Sequence, residues 1–252
     1  MIKTSLKALL LCAVLSVATL TGSAQTKPPA CSPPGKTYGP LVVSSVAGCP
    51  FSAVVEVTNA QTLGDGSHIV TKYKALSYRD SAGRVGYQSF TVTDTFNDVS
   101  ETPKMIQTYD PIAGFVNMIL LDRSAAWRSK LPAPAVSDLP RRALSAEAAA
   151  SSSSPDPRVK VVVEDLGAQQ MQGVLVFGSK SIRTIPAGVE GNDRELTVIS
   201  ESWYSRDLGF ALLQKTVDPR SKDKGMRVTS LDLSEPDPTL FQVPAGYTII
   251  DQ

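Results

Sequence analysis

A chain of 252 residues with 25 basic against 24 acidic side chains lacks the strongly basic surface that a nucleic-acid partner demands. One histidine and three cysteines leave little from which to build a metal centre. The length suffices for one large domain or two small ones.

Met1 to Ala24 reads as a secretory signal peptide: Lys3 and Lys7 give the positive start, Leu9 to Val17 the short apolar core, and Gly22-Ser23-Ala24 the small residues before a cut ahead of Gln25. That core is too short to span a bilayer, so no transmembrane segment is expected in the processed chain. A periplasmic or secreted location follows. Loss of Lys3 and Lys7 leaves a net charge of about −1. An oxidising compartment would allow Cys31 and Cys49 to form a disulfide across a short loop.

Residues 25–50 form a proline-rich lead-in, and within it Pro28, Pro29, Pro33, Pro34, Gly35 and Pro40 exclude helix over Thr26 to Pro40 and predict an extended, exposed entry, poorly ordered unless the cysteines pin it. Strands begin near Phe51. Ala53 to Gln61 alternates apolar and polar residues, Leu63 to Gly66 turns, His68 to Leu76 returns, and Arg79 to Gly83 turns again into Arg84 to Val92. Met105 to Tyr109 and Phe115 to Leu121 follow, joined through Asp110 to Gly114. Residues 131–158 then read as a flexible internal linker, with prolines, the serine run Ser151 to Ser154, and a short helical patch over Leu139 to Ala150.

Beyond the linker, strands are predicted over Val159 to Glu164, Met171 to Ile185, Glu195 to Trp203, Leu208 to Val217 and Met226 to Leu233. The first turn among them falls at Asp165-Leu166-Gly167. Asp237-Pro238 opens one helical turn carrying Leu240 and Phe241, and Val243 to Gly246 breaks it into a last short strand. The fold class is therefore mainly β. A single large antiparallel, strongly curved sheet of about ten or eleven strands, with one or two short helices, is the expected architecture for 51–252.

Candidate chemistry is sparse. His68 beside Asp65 and Ser67 invites a hydrolase reading, but the chain holds no G-x-S-x-G nucleophile motif, and an exposed histidine at a strand start accounts for it as well. Glu164, Asp165, Glu195 and Glu201 offer carboxylate pairs with no spacing that singles one out. Gly188 to Asp193 could cradle an anion through its amides, yet a turn between two strands needs glycine anyway. No cofactor, metal or catalytic residue is assigned. The aromatic group Phe177, Trp203, Tyr204 and Phe210, with Leu240 and Phe241, is the candidate ligand lining, because the core face and the ligand face of an open curved sheet are one surface.

Leu240-Phe241-Gln242-Val243-Pro244-Ala245-Gly246-Tyr247 resembles the ending of the LolA-like lipoprotein-carrier superfamily, which includes RseB-like envelope sensors. Glu201 to Tyr204 with Leu208 to Lys215 resembles a hairpin of that group, and Asp110-Pro111 with Gly114 one of its turns. The stretch from Val159 onward, with Ile185 to Gly188 and Gly191 to Arg194, is similar to uncharacterised secreted bacterial proteins. The resemblance implies a half-barrel whose apolar cavity takes acyl chains, hence a non-enzymatic protein with a lipid or lipoprotein tail as partner, or alternatively an envelope interaction or sensor module. The carriers usually start with an amphipathic helix, where this chain has its proline-rich segment with Cys31 and Cys49.

Overall fold

The structure, a computed structural model, describes residues 37–38, 43–92, 99–131, 156–221 and 223–252. The predicted signal peptide, Cys31, the helical patch Leu139 to Ala150 and most of the predicted linker lie outside the described residues.

Two short strands, β1 (Thr37–Tyr38) and β2 (Val43–Ser44), pair with each other. The remaining strands are β3 (Phe51–Thr62), β4 (His68–Arg79), β5 (Val85–Val92), β6 (Val99–Asp110), β7 (Phe115–Leu120), β8 (Ala125–Lys130), β9 (Lys160–Met171), β10 (Val174–Ile185), β11 (Leu196–Ser205), β12 (Phe210–Val217), β13 (Asp223–Asp232) and β14 (Thr248–Asp251). Together these make one open, curved 12-stranded sheet in the order β14-β8-β7-β6-β5-β4-β3-β13-β12-β11-β10-β9. The pairing of β3 with β13 splices the strands before the linker to those after it, so both sets form one sheet.

Three sequence expectations change. The sheet is mixed, because β14 runs parallel to β8. Strand β8 is additional to the expected set, since Arg128, Ser129 and Lys130 dilute its apolar alternation. Asp165-Leu166-Gly167 is a bulge inside β9, where Gly178 faces Gly167 but Ser179 faces Asp165, leaving Leu166 as the extra residue. Gly167 sits at φ +78° with its N–H donating to Asp165 Oδ1. The true turn is Gln172-Gly173, both with positive φ, as the tightest hairpins require.

Alternation divides the sheet into two faces. One carries Phe51, Ala53, Val55 and Val57 with their cross-strand partners Arg79, Ser77, Ala75 and Tyr73. Val43, Phe210, Leu212 and Val228 join them in the main core. The end of the lead-in is thus built in: Val43, Val46 and Cys49 are buried. Phe51 and Phe210 stack with ring centroids 5.2 Å apart. Arg79 is fully buried, donating through Nε and Nη2 to the Cys49 carbonyl and through Nη1 to that of Leu208 at 2.7 Å. Burial lowers its pKa to about 10. Strand order separates β4 from the β11–β12 turn by three steps of roughly 4.8 Å in a flat sheet, so the bond from Arg79 to Leu208 shows the sheet bent towards the Phe51 face. This is the concave face.

The other face carries the rows Tyr78–Gly86–Thr108–Asn117–Arg128–Asp251 and Leu76–Gln88–Ile106–Ile119–Ala126–Ile249. The chain from Leu233 crosses it to deliver β14 to β8. Its 3-10 turn, Pro238–Phe241, is capped by Asp237, whose side chain accepts from Thr239 N–H. Phe241 meets Tyr78 edge-on at 5.1 Å, and Tyr78 Oη donates to the Leu240 carbonyl at 2.9 Å. Gly86 is obligatory here, because a β-carbon would lie 1.9 Å from the Tyr78 ring.

Candidate functional site

The concave face differs between its two wings. On the β10–β12 wing the rows read Ser179–Ser202–Gln214 and Ser181–Ser200–Thr216, a hydroxyl-rich surface. Ser200 Oγ and Thr216 Oγ1 lie 3.3 Å apart. On the β6–β8 wing the same face is apolar. One row runs Ala53–Ser77–Tyr87–Gln107–Met118–Trp127–Ile250, and the next runs Val55–Ala75–Ser89–Met105–Leu120–Ala125–Thr248. None of these side chains is charged.

Burial along the first row decides what it can do. Ala53, Ser77 and Tyr87 are buried in the core, whereas Met118 is 40% and Ile250 41% exposed, with Trp127 half-buried between them. Large apolar side chains are therefore left in water where the row continues past its cover. Met105 and Tyr109 pack partly against the core from the same wing. Tyr109 Oη donates to Gln107 Oε1 at 3.3 Å, which supplies a polar margin. Such a strip, apolar with a few placed polar groups, suits an apolar ligand lying along the sheet.

The residues singled out in the sequence do not gather on this strip. Phe177 and Tyr204 oppose each other across β10 and β11, and the Arg206 guanidinium lies 3.8 Å from the Phe177 ring centre. Trp203 is one residue along and so on the opposite side, its indole flat over Gly178, where a β-carbon would come within 2.6 Å. Its Nε1–H donates to Glu201 at 2.7 Å. Phe210 is core. Leu240 and Phe241 stand on the far face against Tyr78, with the Arg84 guanidinium 4.8 Å from the Phe241 ring centre. Cys49 is buried beneath Arg79, and its expected partner Cys31 is outside the described residues.

The polar candidates are committed locally. His68 Nδ1 lies 3.1 Å from Thr62 Oγ1 on the exposed β3–β4 turn. Ser67 Oγ and N–H both donate to Asp65, and these bonds hold its carboxyl below the ordinary range; the serine hydroxyl is thus committed to the carboxylate. Glu164 pairs with Lys180 across β9 and β10, and Asp165 serves the bulge. In the 186–195 loop three successive amides are used within the loop: Gly188 N–H donates to the Asn192 carbonyl, Val189 N–H to the Pro186 carbonyl and Glu190 N–H to Asn192 Oδ1. Glu190 is held between Arg183 and Arg220, and the Arg183 contact lowers its pKa first. That loop borders an open cleft of 570 Å³ lined by Glu190, Asn192, Arg194, Glu195 and Arg220, in which Arg220 pairs with Glu190 and Asp218 and Arg194 lies 3.7 Å from Asp193. Among the described residues no group of three or more His, Cys, Asp or Glu could hold a metal ion, and no helix is long and apolar enough to cross a membrane.

The exposed apolar strip on β6–β8 was hidden in the sequence because alternation marks the inward side of every strand alike. Only the pairing shows which strands lie beyond the core.

No protein-family model matches the sequence, and no curated protein matches it. Solved structures with a similar arrangement include an uncharacterised conserved protein from Thermus thermophilus, 10% identical, covering 81% of this chain and 91% of that one, with a TM-score of 0.40. A MucB structure is 11% identical with a TM-score of 0.41, covering 80% of this chain but only 60% of the MucB chain. A LolA superfamily protein from Nitrosomonas europaea is 8% identical, covering 77% and 90%, with a TM-score of 0.32. These likenesses concern the arrangement of strands alone, and what the protein binds follows from its own side chains.

Proposed function

We propose that this protein is an exported, non-enzymatic binder of an apolar ligand, a lipid acyl chain or a lipoprotein tail, and that the ligand lies on the concave face of β6, β7, β8 and β14. The observation that carries the reading is the uncharged row Gln107–Met118–Trp127–Ile250, which continues a buried core row into solvent. Covering Met118, Trp127 and Ile250 with an acyl chain removes apolar surface from water at roughly 25 cal/mol per Å². The signal-like segment Met1 to Ala24 supports export, and export supports a bridge between Cys31 and Cys49.

The test uses the chain's own reporters, since it has two tryptophans, Trp127 on the strip and Trp203 over Gly178. Titration with a brominated fatty acid should quench Trp127, and the quenching should vanish in Trp127→Phe while Trp203 emission stays constant. Met118→Lys, at an exposed position, should fold normally and weaken binding about tenfold or more, because ligand burial would strand its ammonium. Quenching that survives Trp127→Phe, or none at all, would sink the assignment.

A further inference from the structure

The two outer edges of the sheet are unequal. β14 is four residues long and guarded by charge, with Asp251 accepting from Arg128 Nε at 2.7 Å. β9 is 12 residues long, pairs with β10 on one side, and has no strand on its other side among the described residues. Three consecutive valines stand exposed along it: Val161 at 37%, Val162 at 56% and Val163 at 43%. A long, apolar, open edge of this kind is a template for pairing, and proteins normally blunt it with charge, proline or a bulge. Here the bulge at Leu166 closes only the far part, leaving Lys160 to Glu164 as an unbroken segment.

We infer that this edge is an interface between two copies of the chain, which pair antiparallel through β9 about a two-fold axis at Val162. An isologous interface must be complementary to itself, and this segment is. With Val162 on the axis, Val161 faces Val163 of the second copy, and Lys160 faces Glu164, so the two-fold produces two opposite-charge pairs flanking a valine cluster. Lys160, Val162 and Glu164 share one side of β9, while Val161 and Val163 share the other. Directly opposed charges are the pairs that count in an antiparallel ladder. A slip by two residues would set Lys160 against Val162 or Leu166 and lose both pairs, so charge also sets the register. Glu164 also meets Lys180 of β10 at 3.1 Å, on the side away from the open edge, so Lys160 of the second copy shares this carboxylate with Lys180. This interface is separate from the ligand strip, which sits near the opposite edge of the sheet.

Sedimentation analysis of the purified protein, in a concentration series up to about 100 μM as a small interface requires, should show a reversible dimer. Lys160→Glu places two glutamate pairs in opposition and Glu164→Lys two lysine pairs, so each variant alone should dissociate about tenfold or more readily. Mixing the two variants should restore the dimer as a heterodimer. At one end the introduced glutamate then meets the introduced lysine, and at the other the native Glu164 meets the native Lys160. Circular dichroism of each variant would confirm that the fold is retained. A wild-type protein that stays monomeric across the series, a dimer indifferent to both charge changes, or a mixture no tighter than its components would overturn the inference.

Discussion

Tyr78 and Tyr87 lie on opposite faces of the same hairpin, yet burial acts on both in the same way. Tyr78 is sealed under the 3-10 turn, with Oη donating to the Leu240 carbonyl, and Tyr87 lies in the core row beside Tyr73. Loss of solvent pushes each phenol up to about 12 from an ordinary 10, with Tyr73 adding to the effect at Tyr87. Between pH 10 and 12 the unfolded chain therefore gives up these protons while the folded chain keeps them. The unfolded state then binds fewer protons, so stability falls as pH rises through that window, and the contribution is complete below about pH 10. Ultraviolet titration of the seven tyrosines should show two that ionise only together with unfolding. Tyr78→Phe should remove one of them and flatten the alkaline loss of stability; a full set of tyrosinates appearing in the folded protein near pH 10 would contradict it.

The segment from Leu233 to Asp251 works as a strap whose largest buried side chain is Phe241, only 7% exposed, with Pro236 buried upstream of it. Its ring packs between Tyr78 and Arg84, and Ser81 Oγ donates to Glu235 just upstream. Phe241→Ala should cost about 3–4 kcal/mol through the cavity and the lost ring contacts. The loss should be local first. Hydrogen exchange at the amides of Ala125 to Arg128 and Thr248 to Asp251 should speed up as β14 leaves β8, while β10–β12 keep their protection. Equal acceleration everywhere would mean that the strap is not a separate element. Much of this element was legible in the sequence: Asp237-Pro238 predicted the turn, and Leu240-Phe241 its apolar side. The face on which it lands was not, because reaching β8 in parallel from β13 means crossing β3 to β7, a fact of strand order that no local pattern records. The same limit explains the hairpin at Gln172-Gly173. Its positive φ values are unambiguous in the structure, but Asp165-Leu166-Gly167 carried a stronger turn composition and was a bulge. For a ligand lining, the sequence pointed to Phe177, Trp203, Tyr204, Phe210, Leu240 and Phe241, yet the three phenylalanine rings each lie against a guanidinium or a second ring, and none of the six is on the apolar strip.

At the scale of the whole molecule, everything depends on the seam between β3 and β13. It joins two wings that are distant in sequence, the hydroxyl-rich one from Lys160 to Val217 and the apolar one that ends at Lys130 and takes β14 at its edge. The seam is not a weak contact between finished halves. Val55 and Val228 face each other across it, both buried, and Arg79 on one wing bonds to the Leu208 carbonyl on the other. Removing either wing would expose Phe51 or Phe210, which stack across the seam, so neither half has a complete core of its own. Unfolding should then be one cooperative event. The two indoles test this directly, because Trp127 is on one wing and Trp203 on the other. Denaturant curves read from Trp127 in Trp203→Phe and from Trp203 in Trp127→Phe should each coincide with the far-ultraviolet transition of the same variant. Adding Val228→Ala should lower the stability of both by a similar amount, about 2 kcal/mol. If instead Trp127 melts before Trp203, the seam is weaker than the wings, and the bend that creates the concave face would be a hinge between two separately folded sheets.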